Sequence, residues 1–243
     1  MASKLALIAF TGFTVAAVCI GAAAAIGARN MHTDGFDFTM FGGKPFCGRD
    51  DEAAGASARD IAWDGEDQAT LSIPGEAHYR PGGSDMLHVS GDPRLVAHVR
   101  VRDGHIELDC NSWRMGDGHL DVTLPGREFR KFGIAGSGKL LLEGLDQDRL
   151  KVFIAGSGEA EGHGRVDNLE IQIAGSGDAN MAGIQAGSAK VHIAGSGDAD
   201  IAPRDYADIR IAGSGDVTLH SSPAHMETHI AGSGDIRNVG GGT

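Results

Sequence analysis

Serine and aspartate recur at a fixed place in the second half of this sequence. Each serine lies in the pentapeptide Ile-Ala-Gly-Ser-Gly, which occurs six times without change and begins at Ile134, Ile154, Ile173, Ile193, Ile211 and Ile230. A catalytic serine needs a base and an orienting acid beside it. A protein domain usually has one active site, whereas this motif occurs six times. The motif also lacks the Gly-x-Ser-x-Gly pattern of a nucleophile elbow, because alanine precedes Gly-Ser-Gly. We therefore predict a structural column of serines, no catalytic residue and no enzyme activity.

Aspartate follows the pentapeptide directly in the last four copies, which raises calcium binding as a second chemistry. Residues 194–201 resemble the nonapeptide calcium repeat Gly-Gly-x-Gly-x-Asp-x-apolar. Calcium takes six to eight oxygen ligands, of which Asp198 and Asp200 would supply only some. The motifs here recur every 18 to 20 residues, and Lys139 and Glu159 replace the aspartate in the first two copies. The prediction is therefore no bound metal and no cofactor, with a calcium-binding solenoid as an alternative.

The spacing of the six motifs indicates a solenoid, in which each repeat stacks on the next. Apolar residues alternate with polar ones before each motif, as in Leu169, Ile171 and Ile173, which are separated by Glu170 and Gln172. This period of two is typical of a strand with one buried face. Coils of about 19 residues, stacked about 4.8 Å apart as neighbouring strands are, form a parallel β-helix. The predicted fold class is therefore all-β, a parallel β-helix preceded by an N-terminal hydrophobic helix.

Stacked coils would align the serines and the aspartates in two columns on the outside of the solenoid. The alternation places Ile173, Gly175 and Gly177 toward the interior. Ser176, which lies between the two glycines, and Asp178, which follows the second, then face solvent. The last four copies form our candidate contact surface, the Ser–Asp corner, which comprises Ser176, Asp178, Ser196, Asp198, Ser214, Asp216, Ser233 and Asp235. Carboxylates accept hydrogen bonds from sugar hydroxyls, so the predicted partner is a glycan, an envelope polymer or another protein. The alternative is that this side only completes the coil and that partners bind elsewhere.

Composition and charge limit the partners and the core. The 243 residues include 38 glycines and only 5% aromatic residues, and the formal net charge is −12. Small residues let a core form with few large rings, and the acidic balance excludes nucleic acid as a partner. Within the solenoid domain, residues 59–130 form irregular coils or a cap, and residues 131–239 form six regular coils. The predicted segments are an N-terminal segment 1–30, a linker 31–58, the solenoid domain 59–239 and a tail 240–243.

Residues 5–28 are 24 uncharged, mostly apolar residues between Lys4 and Arg29. As a helix they would span roughly 36 Å, enough to cross a hydrocarbon core of about 30 Å. A cleaved secretory signal is the alternative, with Ala23-Ala24-Ala25 as its small-residue cleavage site. The charge of Lys4 favours the cytoplasmic side. In both cases the rest of the chain is exported, either anchored in the inner membrane and facing the periplasm, or free in the periplasm or at the cell surface.

Cys47 and Cys110 are the two cysteines of the exported part. A disulfide between them is one prediction, since exported proteins fold in an oxidising compartment. Two buried free thiols are the alternative, because the sequence does not give the distance between the two side chains.

Residues 59–130 contain short apolar runs separated by turn residues. Asp103-Gly104 lies between two alternating runs and predicts a β-hairpin. The strands form either irregular early coils or an antiparallel cap that closes the end of the solenoid. The predicted strands include residues 70–73, 86–89, 95–101, 105–108 and 120–124.

The order of motifs in this region resembles a bacterial protein family. The pieces are Leu-His-Val-Ser-Gly-Asp at 87–92, Arg-Leu-Val at 94–96, Asp-Gly-His-Ile-Glu-Leu at 103–108 and Leu-Asp-Val-Thr-Leu-Pro at 120–125, followed by the Gly-Ser-Gly-Asp coils. Over roughly residues 59–239 the chain is similar to the family named putative auto-transporter adhesin, head GIN domain. The resemblance implies an exported β-helical domain, and the family's name suggests adhesion; it brings no catalytic residues. Lys139 and Glu159 depart from the family's aspartate pattern.

These observations predict an exported, membrane-associated β-helical module for binding or structure, adhesin-like and without catalytic activity. Residues 5–28, if uncleaved, would hold it to the membrane. The rival class is a carbohydrate-active enzyme, a polysaccharide lyase or hydrolase built on a β-helix. Two carboxyl groups about 5 to 9 Å apart beside a cleft would favour that enzyme. The residues that could serve it are Arg204, Asp205, Asp208 and Arg210.

Overall fold

Strands make up most of the described part of the chain between residues 58 and 238. The computed structural model describes Cys47 and residues 56–110 and 118–240. Among these residues one short helix, α1 (Pro93–Val96), interrupts the strands. Before the regular repeats come β1 (Ala58–Ala62), β2 (Gln68–Ser72), β3 (Glu76–Tyr79), β4 (Met86–Gly91), β5 (Val99–Arg102), β6 (His105–Leu108), β7 (Leu120–Thr123) and β8 (Lys131–Gly136). The repeats contain β9 (Lys139–Gly156), β10 (Glu159–Gly175), β11 (Asp178–Gly195), β12 (Ala199–Gly213), β13 (Val217–Leu219), β14 (His225–Gly232) and β15 (Ile236–Asn238).

The six pentapeptides stack on one another in register. Parallel pairing joins β8 to β9, β9 to β10, β10 to β11, β11 to β12, and β12 to β14. The isoleucines that begin successive copies are Cα partners, as in Ile154 with Ile173 and Ile173 with Ile193. Each coil is therefore one repeat of the sequence, and the predicted all-β parallel β-helix is confirmed.

Alternating side chains of each strand fill the interior of the solenoid. Val152 and Ile154 of β9 are buried, and Ile171 and Ile173 of β10 lie directly beside them in the stack. Burying one such side chain contributes about 1.5–3 kcal/mol, so these aliphatic columns hold the coils together. Four aromatic rings contact one another at the beginning of the solenoid, those of Trp63, Tyr79, Phe129 and Phe132.

The two glycines of the pentapeptide solve two different steric problems. Gly175 has a φ of +130°, and a Cβ there would lie 2.4 Å from the carbonyl oxygen of Gly156 in the preceding coil. Gly177 is buried, and its Cβ would lie 2.6 Å from the Cγ2 atom of Ile154. The prediction that both glycines face the interior is therefore correct for Gly177 and wrong for Gly175. The positive φ of Gly175 directs its missing side chain along the stack, against the backbone of the neighbouring coil.

The first coil of the chain lies between two coils that come later in the sequence. β2 pairs in parallel with β6 on one edge and with β8 on the other. β3 lies in the same way between β7 and β9. The chain thus forms the coil of β2 and β3, adds β6 and β7 on its outer side, and crosses back to begin the regular coils at β8.

An antiparallel cap covers this end of the solenoid. β4 pairs antiparallel with β1 on one edge and with β7 on the other. β5 and β6 form the predicted hairpin, in which Asp103 (φ 49°) and Gly104 (φ 79°) make the turn. Leu95 and Val96 of α1 are buried and complete the apolar end of the core.

The predicted strand at residues 95–101 is wrong in its first half. Asp92 caps α1, because its carboxylate accepts a hydrogen bond from the backbone N–H of Arg94. Pro93 has the φ that the first helical turn requires, and strand β5 begins only at Val99. Two neighbouring apolar residues, Leu95 and Val96, are as compatible with a single helical turn as with a strand.

The predicted membrane segment, residues 5–28, lies outside the described residues, as does most of the predicted linker at 31–58. In the part of the chain that the structure describes, no helix is both long enough and apolar enough to cross a bilayer. Anchoring and signal cleavage therefore stay predictions.

Candidate functional site

The Ser–Asp corner runs along one outer edge of the last four coils. The glycines before its serines are Cα partners in successive strands, Gly175 with Gly195 and Gly195 with Gly213. The residues after its aspartates also align, since Ala199 pairs with Ala179 on one side and with Val217 on the other. The structure therefore brings the eight residues of the corner together as two adjacent columns.

The serines contribute their backbone to the stack and their side chains to the surface. The backbone N–H of Ser196 donates to the carbonyl oxygen of Gly175 at 2.8 Å, and that of Ser214 donates to Gly195 at 2.9 Å. The side chains of all the pentapeptide serines are exposed. The hydroxyls thus form a solvent-facing row of groups that can both donate and accept hydrogen bonds.

The aspartates form a hydrogen-bonded ladder from coil to coil. The Oδ1 atom of Asp178 accepts from the backbone N–H of Asp198 at 3.1 Å, and Oδ1 of Asp198 accepts from that of Asp216 at 2.8 Å. Oδ1 of Asp216 accepts in turn from the N–H of Asp235 at 2.9 Å. Like charges on neighbouring strands repel one another, and each of these bonds offsets that repulsion by placing an amide dipole against the carboxylate.

The other carboxylate oxygen remains available along most of the ladder. Asp178, Asp198 and Asp235 are exposed, and Asp216 is half-buried. Arg237 donates to Oδ2 of Asp216 at 3.0 Å and lies 4.0 Å from Asp235. A basic side chain therefore neutralises the C-terminal end of the column, while Oδ2 of Asp178 and Asp198 faces solvent.

The two aspartates considered for calcium binding, Asp198 and Asp200, already form hydrogen bonds with other groups of the protein. Oδ1 of Asp198 accepts the amide described above, and Oδ1 of Asp200 lies 2.7 Å from Nε2 of His220. Among the described residues, neither aspartate belongs to a group of three ligand atoms within 4.8 Å of one another. The side chains of these two aspartates therefore do not by themselves provide the six to eight oxygens that a calcium ion takes.

A shallow groove of about 350 Å³ lies on a different face of the solenoid. Arg165 and Gln185 are Cα partners in β10 and β11, and Arg204 comes from the following coil. Asp167 is the carboxylate among the lining residues, which also include Ser221 and Ser222. The sequence reasoning missed this groove, although the 20- and 19-residue spacing of Arg165, Gln185 and Arg204 matches the coil period.

The four charged residues considered for an enzyme form two separate ion pairs. Arg204 lies 2.8 Å from Asp205, and Arg210 lies 2.9 Å from Asp208. The hydrogen bond from Arg204 lowers the pKa of Asp205, whereas a general acid in glycoside cleavage needs a raised pKa. Asp205 therefore lacks the raised pKa that a general acid in glycoside cleavage needs.

The cysteines predicted as a possible pair are bonded in the structure. Cys47 and Cys110 form a disulfide with their Cα atoms 5.0 Å apart, and both residues are buried. The bond ties residue 47, in the predicted linker, to the chain just after β6.

An outward column next to the Ser–Asp corner contains His192, Arg210 and His229, as their coil positions predict. Arg210 lies 3.2 Å from Nε2 of His192 and also pairs with Asp208, which is only 6% exposed. Burial, and then the charge of Arg210, hold the pKa of His192 below its usual value. The guanidinium of Arg210 lies within hydrogen-bond distance of this imidazole and so links the two coils. Among the described residues, His192 belongs to no group of three metal-ligating side chains.

The chain is similar to solved structures of bacterial proteins, and the first of those named here supports the fold. A putative adhesin from Bacteroides fragilis is 18% identical and superposes with a TM-score of 0.59, over 75% of this chain and 96% of that protein. A putative lipid binding protein from Parabacteroides distasonis is 21% identical, with a TM-score of 0.46, over 75% of this chain and 96% of that protein. The comparison with curated proteins found no match.

A family profile accounts for most of the described solenoid. The profile described as putative auto-transporter adhesin, head GIN domain, matches residues 77–223. This range begins in β3 and extends beyond β13, so it includes the coil of β6 and β7, most of the cap and five of the six pentapeptides in full. The chain belongs to the putative auto-transporter adhesin, head GIN domain family.

Proposed function

We propose that this domain is an exported, non-catalytic binding module that recognises neutral glycans of the cell envelope through the Ser–Asp corner. The description of its family as an adhesin family agrees with such a role. One observation carries the proposal: an exposed hydroxyl and a free carboxylate oxygen repeat from coil to coil along one edge.

Repetition along the solenoid suits an extended polymer. Neighbouring strands lie about 4.8 Å apart, and successive sugar units of an extended glycan have a similar spacing, so one sugar can lie on each coil. Serine hydroxyls donate and accept, and carboxylate oxygens accept from sugar hydroxyls. Ala194 and Ala212, which precede the Gly-Ser-Gly turns, are exposed and small. A sugar ring can therefore approach the backbone of the corner closely.

Charge argues for a neutral ligand. The chain carries a formal net charge of −12, and the corner adds a column of carboxylates to one edge. Fields of exposed charges extend over a Debye length of about 8 to 10 Å at moderate salt. A polymer rich in phosphate or carboxylate would be repelled over this distance, whereas neutral sugars would not.

Export of the domain is supported by the disulfide and by the N-terminal sequence. A bond such as Cys47–Cys110 persists in oxidising compartments and is rare in the cytoplasm. Residues 5–28 have the length and apolarity of a membrane anchor. We place the domain on the periplasmic side of the inner membrane, attached through this segment, and the mass of the mature N-terminus distinguishes an anchor from a cleaved signal.

The composition of the groove favours binding over carbohydrate cleavage. Most glycoside hydrolases use two carboxyl groups about 5 to 9.5 Å apart. The groove is lined by one carboxylate, that of Asp167, together with Arg165 and Arg204. The groove therefore has two arginines and one carboxylate, whereas the cleft of a hydrolase has a pair of carboxyl groups.

An array of neutral and acidic envelope glycans, probed with the full chain, tests the proposal. Ser196→Lys and Ser214→Lys each place a long charged side chain on the corner, and they remove no hydrogen bond between the hydroxyl and another described residue. Each variant is expected to weaken binding by about tenfold or more, and a tenfold change corresponds to about 1.4 kcal/mol of binding free energy. Ser137→Lys makes the same change in the first regular coil, outside the corner, and should bind as the wild type does.

Two results would contradict the proposal. If Ser196→Lys and wild type bind the same neutral glycan equally, the corner only completes the coil. If the full chain binds no neutral glycan, the corner has a different ligand.

A further inference from the structure

The last strand of the long face of the solenoid has an unpaired edge. β14 pairs with β12, and among the described strands none pairs with the other edge of β14. Ala207 and Ile211 of β12 are fully buried, whereas their partners Met226 and Ile230 of β14 are 50% and 41% exposed. The core of the solenoid therefore reaches the surface at this end.

The opposite end of the solenoid is closed. α1 and the antiparallel pair of β1 and β4 cover it, and Leu87, Leu95 and Val96 are buried there. Only the C-terminal end thus combines an open strand edge with exposed core residues, within the part of the chain that the structure describes.

The edge of β14 carries little of the usual protection against pairing. Proteins protect such edges with charged side chains, especially lysine, or with proline or a bulge, and β14 has Glu227 alone among these. The sequence of β14 is His-Met-Glu-Thr-His-Ile-Ala-Gly, which contains no lysine and no proline, and its pairing with β12 shows no register shift. An eight-residue edge of this kind is a template for another strand.

We propose that a second copy of this chain covers the open end, with the two β14 strands paired antiparallel about a two-fold axis at Thr228. This register places Met226 of each copy opposite Ile230 of the other, so both apolar columns continue across the interface. It also places Glu227 opposite His229 on the outer face, where a carboxylate and an imidazole are close enough to form a hydrogen bond between the strands. The strand is therefore complementary to itself in both apolar contact and polar groups.

Neighbouring registers lack this complementarity. An axis at Glu227 would put the two Glu227 side chains opposite each other, and an axis at His229 would do the same for the two histidines. An axis between two residues would place core-facing side chains of one copy beside outward-facing side chains of the other, because side chains alternate along a strand. Thr228 is thus the centre that joins the two cores.

The assembly should stop at two copies. A two-fold pairing uses the same edge on both copies and closes on itself. Growth in one direction would require the open end to stack on the opposite end, which α1 and β4 cover. The pairing is independent of the Ser–Asp corner, whose side chains face outward.

Disulfide trapping tests this register directly. In Thr228→Cys the two new thiols lie opposite each other on the axis, where Cα atoms of antiparallel partners are about 4.5 to 5.5 Å apart, within the range for a disulfide. The full chain, kept in mild detergent, should form a covalent dimer on oxidation. Met226→Cys is the matched control, because Met226 faces Ile230 of the other copy, and it should not cross-link above the wild-type background. Equal cross-linking of the two variants, or none for Thr228→Cys, would overturn the proposal.

Molar mass from light scattering provides a second measurement. The wild type should become a dimer as its concentration rises, and Ile230→Lys should weaken the dimer by about tenfold or more. Met86→Lys is the control variant, because Met86 lies in β4 at the other end of the solenoid and is 39% exposed. This variant should leave the dimer intact. A wild type that is monomeric at every concentration would refute the pairing, as would a dimer that Ile230→Lys does not weaken.

Discussion

The Oδ1 atom of Asp198 accepts a hydrogen bond from the backbone N–H of Asp216 in the following coil, at 2.8 Å. Asp178 makes the same bond to the N–H of Asp198, and Asp216 makes it to the N–H of Asp235. In the earlier coils a glycine carbonyl serves instead, since the N–H of Asp178 donates to Gly158. In the later coils an aspartate Oδ1 atom therefore takes the place of a backbone carbonyl as the acceptor. The Oδ2 atom of the same carboxylate remains for solvent or a ligand.

Replacing Asp198 with alanine should destabilise the solenoid, because the N–H of Asp216 loses its acceptor in the protein. The bond lies at the surface, where water can take its place, so the expected loss is about 1 kcal/mol. For a domain of this size that loss lowers the melting temperature by about 2–4 °C. Differential scanning calorimetry of the full chain measures it.

Two further variants separate the hydrogen bond from the charge. Asp198→Asn keeps an oxygen acceptor and removes one of the stacked charges, so its melting temperature should equal or exceed that of the wild type. Asp235→Ala removes the last aspartate of the ladder, whose Oδ1 accepts no such bond from another described residue, and should have little effect. A loss for Asp198→Asn as large as that for Asp198→Ala would mean that the charge, not the acceptor, matters.

The regular half of the fold could be read from the sequence because its signal is repeated. Six identical pentapeptides at a nearly constant interval predict which residues stack, and the pairing of Ile154 with Ile173 agrees. Alternation of apolar residues then predicts the buried columns. The same periodicity predicts that the serines and aspartates share an edge, but not that Oδ1 of each aspartate bonds to the next coil, because this depends on a side-chain rotamer.

The first half could be predicted only in part because its pairings are not in sequence order. β2 lies between β6 and β8, and no local pattern indicates that a later strand is inserted on its outer edge. α1 was missed because a single capped turn produces no helical periodicity. The groove beside Arg165 and Arg204 was missed for a related reason, since its residues lie between the apolar positions that define the coils.

Gly175→Ala should cost considerably more stability than Gly136→Ala, although both residues have left-handed φ values, +130° and +122°. A Cβ at Gly175 would lie 2.4 Å from the carbonyl oxygen of Gly156, whereas a Cβ at Gly136 has no atom within 4 Å. Backbone strain alone costs about 1–3 kcal/mol, and both variants should show it. The clash between coils adds to it at Gly175 alone, and urea unfolding measures the difference. Equal losses in the two variants would show that contact between coils is not what requires glycine here.

Lowering the pH should destabilise the domain partly through His192. Burial and Arg210 hold its pKa in the folded state below that in the unfolded chain, while Asp208 and Glu170 oppose this shift and Lys190 adds to it. The unfolded state therefore binds the proton more readily. The stability that results is fully present above the unfolded pKa of about 6.5, and it is lost as the pH falls through that value toward the folded pKa.

Comparing the pH dependence of the free energy of unfolding in the wild type and in His192→Gln separates the effect of His192 from that of the other histidines. Between about pH 7.5 and about pH 5.5 the free energy of unfolding should fall less for the variant than for the wild type. Urea unfolding at each pH measures both slopes. If the two proteins lose the same free energy over this range, the imidazole of His192 does not carry the predicted linkage.

Reduction of the Cys47–Cys110 bond should lower the melting temperature of the full chain. The two cysteines are 63 residues apart in sequence, and the chain-entropy model assigns about 4 kcal/mol to closing a loop of that length. Both residues are buried beside the cap, so the reduced protein should lose protection first in β5 and β6. Hydrogen exchange with and without reductant checks this order, and a Cys47→Ala/Cys110→Ala variant, which should not respond to reductant, is the control. A melting temperature that reductant leaves unchanged, with the thiols shown to be free, would mean that the cap is held by its own strand pairing and apolar contacts rather than by this bond.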